Sequence, residues 1–320
     1  MPNASLSEKP RALRLTFRIL IAVVLAALAV ELGLGLLGLG NPVLVTPDAA
    51  CSYILKPDQN VYRFFCHTRT NRYGMRSDPF RAGPDPGTLR VLFVGDSITY
   101  GTSRVDQTKI FTEVVHQGLP AVVHRPVEVL NASAGGWAPD NELSWVRSRG
   151  IFHSDVVLVV LNSGDLSQPR ATAAALGEDT PSKRPATAFG ELWTRYLRHK
   201  LFHAAVKTDA GDAAVANADA TIQANLADLA DINALVSNQH ARFAIVYIPF
   251  RHEIPKPAAQ SEATLRAWTA SHHVPLFDLT SVESSCPTAE ISLDGDHLNA
   301  DGNRIVGDAI ERQWSSILGP

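Results

Sequence analysis

Five short apolar runs punctuate the second two-thirds of this chain, at residues 90–95, 127–131, 155–161, 242–248 and 274–279. Most are apolar at nearly every position instead of alternating with polar residues, as in VLFV and VVLVVL. A strand of that kind buries both faces, which is the condition of strands in a parallel sheet covered by helices. Between the runs lie stretches with helical spacing, at 140–149, 217–236 and 261–270, and an amphipathic segment follows at 304–314. Alternation of strand and helix predicts an α/β fold of three layers, αβα, around a mostly parallel sheet of about five strands.

The pattern at the amino terminus is different. Residues 19–40 form one apolar stretch interrupted only by Glu31, long enough for the ~20 residues of a membrane-spanning helix. Lys9, Arg11, Arg14 and Arg18 precede it and no comparable basic cluster follows. That asymmetry predicts residues 1–18 in the cytoplasm, a membrane anchor over 19–40, and the rest on the far side of the membrane. The alternative is a cleaved signal peptide, because 19–30 has the length of an h-region. No A-x-A site follows and the stretch DAAC at 48–51 lacks the leucine of a lipoprotein box, which favours an uncleaved anchor. Gly33, Gly35 and Gly38 spell G-x-G-x-x-G, but no strand precedes them, so a dinucleotide site is rejected. Residues 41–87, rich in Pro, Asp and Asn, read as an irregular connector, and 88–320 as one catalytic domain.

Composition narrows the function. The 320 residues carry a formal net charge of −3, and their basic residues form no stripe interleaved with aromatics, so nucleic-acid binding is not expected. Cys51, Cys66 and Cys286 lie beyond the apolar stretch. In an oxidising compartment Cys51 and Cys66 pair, or both remain free thiols; the sequence leaves the two open. No Cys/His cluster has metal-ligand spacing, His272 and His273 precede a strand and face solvent, and neither metal nor cofactor is expected.

Candidate chemistry gathers where strands end. The run VLFVGDSITYG at 91–101 carries Ser97 past a strand's carboxyl end, where open α/β sheets bind ligands, with Gly95 allowing a sharp turn. A serine hydroxyl needs a base. Near the other end of the chain, LDGDHLNADG at 293–302 supplies Asp294-x-x-His297, a spacing that lets the carboxylate accept the imidazole Nδ1–H and leaves Nε2 for the serine proton. A third run, VLNASAGGWAP at 129–139, offers the uncovered backbone N–H of Gly136 to an oxyanion. Singly, each segment has an ordinary structural reading: a turn, a helix-capping loop, a β-to-α connection. Their order and their shared position at strand ends point to catalysis.

In these blocks the chain resembles the SGNH (GDSL-type) hydrolases, and among them the membrane-tethered bacterial members, which implies a single-pass anchor in the bacterial inner membrane with the catalytic domain, 88–320, in the periplasm. GDSITYG matches the family's first block, NASAGG its second and D-x-x-H-L-N-x-x-G its last, while NRYGMRSDPF at 71–80 is similar to an N-x-x-G-x-R lead-in. The resemblance spans about residues 50–318 and implies a flavodoxin-like sheet. It also implies Ser97 as nucleophile and first oxyanion donor, Gly136 as second donor, His297 as base and Asp294 as its orienting partner. The third block, Gly-x-Asn-Asp in the family, departs: VVLNSGDLS puts Gly164 at the asparagine position, before Asp165. Asn162, two residues earlier and on the same face of an extended chain, or the Gly164 N–H, is the candidate third donor. The irregular stretch 167–207, with Trp193, Tyr196 and Phe202, is a lid or cleft wall or else a helical insertion packed on the sheet. Arg251 and His252 follow a strand end beside the cleft.

The implied function is a serine esterase acting on small acyl esters, most plausibly O-acetyl groups of envelope or exported polysaccharide. Two alternatives stand beside it. One is an O-acyltransferase using the same triad and fed by a separate multi-span acyl-donor protein. The other is a non-catalytic carbohydrate-binding domain that retains the fold.

Overall fold

In the computed structural model of the chain, residues 8–177, 180–198, 218–249, 260–284 and 287–319 are described. The first element, helix α1 (Glu8–Leu36), contains a 24-residue apolar segment, Leu13–Leu36, of mean hydropathy 2.6 with none of its most apolar window buried by the rest of the chain. The helix ends four residues before the apolar stretch 19–40 does. Gly38 and Gly40 adopt left-handed backbone conformations, and a Cβ on Gly38 would lie 2.5 Å from the Arg63 Cα, so the chain turns and packs there instead of continuing upward.

Residues 41–87, expected to be irregular, carry two hairpins: β1 (Val45–Asp48) with β2 (Ser52–Leu55), and β3 (Asn60–Arg63) with β4 (Cys66–Arg69). The polar residues that suggested a connector are spent in their turns and edges, while Val45, Tyr53, Leu55 and Val61 enter the core. An ion pair between Arg63 and Glu191, both about 1% exposed, joins β3 to helix α5 (Ala188–Glu191) at 2.5 Å. Glu191 also accepts from the Gly40 N–H, and Arg63 donates to the Gly38 carbonyl oxygen. The exit of α1 is thereby fastened to the body of the protein with no free linker.

The main sheet is parallel, in the order β6-β5-β7-β8-β9, formed by β5 (Leu89–Gly95), β6 (Val127–Ser133), β7 (Val156–Leu161), β8 (Arg242–Tyr247) and β9 (Leu276–Asp278). Renumbered from its own first strand this is 2-1-3-4-5, the flavodoxin-like order, whose switch point lies beside the first strand. Successive residues of each strand serve opposite cores. Leu92, Val94, Val157 and Val159 pack under helices α4 (Pro139–Arg149) and α6 (Ala218–Ser237). Val91, Phe93, Val156 and Leu158 pack under α3 (Phe111–Val123) and α8 (Ala300–Leu318), with α7 (Gln260–Ser271) closing the first face. Strands buried on both sides are why the sequence reads as apolar runs, and the expected three-layer αβα architecture is the one found.

The two thiols do not pair. Cys51 lies in the β1–β2 turn with its Sγ 3.3 Å from Asp48 Oδ1, and Cys66 sits on β4 against the Arg104 carbonyl oxygen. Burial and the Asp48 carboxylate push the Cys51 thiol up to about 12. Cys286 falls outside the described residues. His272 is exposed and stacks on Trp268, with ring centroids 4.5 Å apart.

Asp48 anchors the first hairpin to α4. Burial pushes its carboxyl up, but hydrogen bonds from Arg149, Cys51 and Ala50 outweigh that and hold it at about 2 instead of 3.8. A depressed folded value adds stability above the unfolded one and loses it as pH falls through the folded one. Asp48→Asn should therefore lower the unfolding free energy by about 2 kcal/mol at neutral pH. Denaturant midpoints of variant and parent should converge near pH 2; an equal gap at both pH values would assign the loss to packing.

Candidate active site

β5 ends at the switch point between β6 and β7, with Gly95 registered against Ser133 on one side and Val160 on the other. Gly95 is required by close packing, because a Cβ there would lie 2.2 Å from Thr99 Oγ1. Asp96 caps the four-residue helix α2 (Ser97–Tyr100), its Oδ1 accepting from the Ile98 N–H at 2.8 Å. Ser97 is thus set at the first turn of a helix above the sheet's carboxyl edge.

His297 reaches the same point from a turn ahead of α8. That turn is closed on itself: Leu293 N–H and Ser292 Oγ both donate to the His297 carbonyl oxygen, at 2.7 and 3.0 Å, and Gly295 N–H donates to Ser292 Oγ. His297 Nε2 lies 3.0 Å from Ser97 Oγ, and its Nδ1 lies 3.0 and 3.1 Å from the two Asp294 oxygens. Burial pushes the Asp294 carboxyl up, but the His297 backbone N–H, the His297 ring and Arg104 prevail and hold it below the usual carboxylate range. An ionised carboxylate only accepts, so Nδ1 carries the proton and Nε2 is left to accept from the serine hydroxyl. The three residues named from the sequence stand in one hydrogen-bonded line.

Around this line is a cleft of about 430 Å³. One wall is the first hairpin and its approach, through Val43, Val45 and Leu55; another is the 180–181 and 195–196 region, through Pro181, Arg195 and Tyr196. The segment expected to be a lid or wall therefore contributes a wall, while Phe202 lies outside the described residues, as do Arg251 and His252. Gly135 lines the cleft beside Ser97. Gly136 follows it in left-handed conformation, at φ +78°. The Tyr53 hydroxyl donates to the Gly135 carbonyl oxygen at 2.8 Å. In a trans peptide that carbonyl and the Gly136 N–H point opposite ways, so the bond fixes the Gly136 N–H facing away from Tyr53.

The candidate third donors are otherwise engaged. Asn162 Nδ2 donates to Asp96 Oδ2 at 2.9 Å and to Asp165 Oδ1 at 2.8 Å, and its Oδ1 accepts the Gly164 N–H at 2.7 Å. Both amide hydrogens and the Gly164 N–H are committed to this knot, because the chain leaves the extended conformation after Leu161 and turns at 163–164, so Asn162 and residue 164 do not share one face. Burial pushes the Asp96 carboxyl up, and burial together with Asp96 and Glu142 pushes that of Asp165 well above the ordinary range. Glu142 on α4 is fully buried, and its carboxyl oxygens have no hydrogen-bond partner among the described residues. Burial and the neighbouring Asp96 and Asp228 raise it strongly and keep it neutral.

Two residues of the site had no signal in the sequence. Tyr53 is one. Arg104, whose Nη2 lies 2.6 Å from Asp294 Oδ2, is another. The lead-in arginine, Arg76, is fully buried and donates to the carbonyl oxygens of Tyr100, Thr102 and Val105 at 2.6–2.7 Å, clamping the loop that carries Arg104. Asn131 in the second block donates to the Thr99 carbonyl oxygen at 2.8 Å and holds the end of α2.

No protein-family model and no curated protein matches the chain. Solved structures do. It is similar to a two-domain esterase active on acetylated mannans, at 13% identity and TM-score 0.47, over 72% of this chain and 50% of that one. It is similar to TesA at 13% identity and TM-score 0.47, over 72% and 100%. It is also similar to a lipase/acylhydrolase from Enterococcus faecalis at 18% identity and TM-score 0.44, over 71% and 96%. The chain matches half the length of the first and nearly all of the other two. In motif order and sheet the chain resembles the SGNH hydrolases. Assignment of roles to single residues rests on the geometry of Ser97, His297 and Asp294.

Because Asn162 satisfies two buried carboxyl groups, Asn162→Ala should reduce stability by about 1–3 kcal/mol, read as a shifted denaturation midpoint. An unchanged midpoint with lost turnover on an activated ester would place the amide in the reaction instead.

Proposed function

We propose that the chain is a serine esterase of the SGNH type, tethered to the inner membrane by α1, with its cleft on the periplasmic side. The observation that carries the reading is the unbroken line Ser97 Oγ, His297 Nε2, His297 Nδ1, Asp294 at hydrogen-bond distances, opening into the cleft. His297 takes the Ser97 proton as Oγ attacks the ester carbonyl. The tetrahedral oxyanion is held by the N–H groups of Ser97 and Gly136. Imidazolium then protonates the leaving alcohol, and a water activated by the same base releases the acid. With Asn162 and Gly164 engaged elsewhere, the hole works with two backbone donors; one donor less than the family pattern costs typically 10²–10³ in turnover.

The favoured substrates are short acyl esters, O-acetyl groups of a glycan above all. The cleft is open and lined by Thr102, Ser103, Thr180 and Arg104 as well as by apolar side chains, a setting for a small acyl group on a large polar carrier. Retention of α1 is supported by its contacts: Glu31 accepts from the backbone N–H groups of Ala188 and Phe189, and Gly38 and Gly40 bond to Arg63 and Glu191. A cleaved leader would forfeit them.

Ser97→Ala should abolish hydrolysis of nitrophenyl acetate by the full-length protein, with labelling by a fluorophosphonate probe lost in parallel and the fold intact. His297→Ala should cost nearly as much, since the triad acts as a unit. Asp294 is held below the usual carboxylate range, so a fall in rate with falling pH should come from loss of the accepting nitrogen of the base and not from Asp294; a rate that does not fall overturns the base. If acetylated glycans stay untouched while activated esters turn over, the acyltransferase reading gains.

Tyr53→Phe should lower kcat about tenfold, the worth of one buried hydrogen bond, with KM little changed. A neutral result would mean that the Gly135–Gly136 peptide holds its orientation without the hydroxyl.

A further inference from the structure

Glu31 is the only charged residue between Ile19 and Leu36. From Ile19 to the end of α1 the helical rise gives about 27 Å, no more than the ~30 Å of bilayer hydrocarbon. With Arg18 set at the inner boundary, as the anchor reading has it, the apolar layer reaches the end of the helix, and the exposure of its last turns agrees: Leu32 and Leu36 are 66% and 69% exposed. Glu31 lies more than a turn below that end. Its carboxylate is not left to lipid, because Ala188 N–H and Phe189 N–H donate to its two oxygens at 2.5 and 3.0 Å. The start of α5 consequently sits beside α1 at the depth of Leu32 and Leu36.

From that point the chain runs through α5 into one wide turn, Leu192–Leu197. Phe189 is 51% exposed, and Trp193, four residues on and on the same face, is 39% exposed. Lys183, Arg184 and Arg198 are exposed around them. Aromatic rings with basic residues about them are what the outer boundary of a bilayer accommodates, rings among the headgroups and cations against lipid phosphates. The same turn supplies Arg195 and Tyr196 to the cleft wall, and Tyr196 receives a hydrogen bond from Arg63 at 3.1 Å.

Resting on the reading of α1 as an anchor, we propose that Phe189 and Trp193 seat in the outer boundary layer of the bilayer. Together with Glu31 they hold the catalytic cleft at the membrane surface in one fixed orientation. The esters within reach are then those presented at that surface.

The test uses the full-length protein in vesicles of phosphatidylcholine and phosphatidylglycerol, with lipids brominated either near the headgroup end of the acyl chain or near its methyl end. Three of the five tryptophans, Trp137, Trp145 and Trp314, are buried within the domain, so the difference between parent and Trp193→Phe isolates Trp193. Shallow bromines should quench the parent, deep bromines should quench it less, and Trp193→Phe should lose most of the shallow effect. Equal quenching in parent and variant, with the protein still floating with the vesicles, overturns this proposal and leaves the anchor standing. Failure to float overturns the anchor itself, and this proposal with it. Hydrolysis of nitrophenyl acetate, followed in the same samples, reports the catalytic reading independently.

Discussion

The site depends on a single amide placed between two buried carboxyl groups. Asn162 ends one parallel strand, Asp96 ends its neighbour, and Asp165 begins the turn that follows; the Asn162 side chain ties all three. Two carboxyl groups this close and this dry cannot both ionise cheaply. Burial raises Asp96, and burial together with Asp96 and Glu142 raises Asp165 well above the ordinary range. Asp96 is left to accept from Asn162 and from the Ile98 N–H, and so to aim the helix that begins at Ser97. A departure from the family pattern in the third block thus becomes a change of duty: an amide that the resemblance would aim at the substrate is spent on the scaffold under Ser97.

Around that point the loops are held by groups distant in sequence. Arg76 clamps three carbonyl oxygens of the 100–105 loop, and that loop returns Arg104 to Asp294. Asn131 holds the end of α2, and Tyr53 holds the glycine peptide of the second block. Apart from the exposed Arg104–Asp294 pair, such bonds are buried or half-buried, where an unmatched partner is expensive. The first hairpin is therefore part of the site although it precedes the sheet, since it supplies both Tyr53 and a wall of the cleft.

Much of this was legible in the chain. Strands buried on both faces write themselves as apolar runs, and Asp294-x-x-His297 is a local spacing whose geometry a short turn enforces, so sheet, helices and the Ser97, His297, Asp294 grouping could be read. Residues whose partners lie far away could not. Tyr53 looks like any strand aromatic, and Gly135 is 82 residues away. Asn162 lies just past the end of β7, where the chain turns, and which carboxyl groups it meets depends on that turn and on the packing of β5 against β7. The hairpins of 41–87 were missed because four-residue strands joined by Asp-, Asn- and Pro-containing turns have too short a period to stand out from a loop.

The fastening of α1 to the domain bears on how a substrate is found. Arg63, Glu191, Gly38 and Gly40 leave no slack between helix and body. A catalyst on a flexible tether sweeps a hemisphere and meets its substrate in a volume. On the proposed reading of α1 as a membrane anchor, one on a rigid post traces only a circle as the post spins in the plane of the bilayer, at constant height. Encounter under that reading becomes a two-dimensional search, set by lateral diffusion and by the distance at which the proposed glycan passes the membrane.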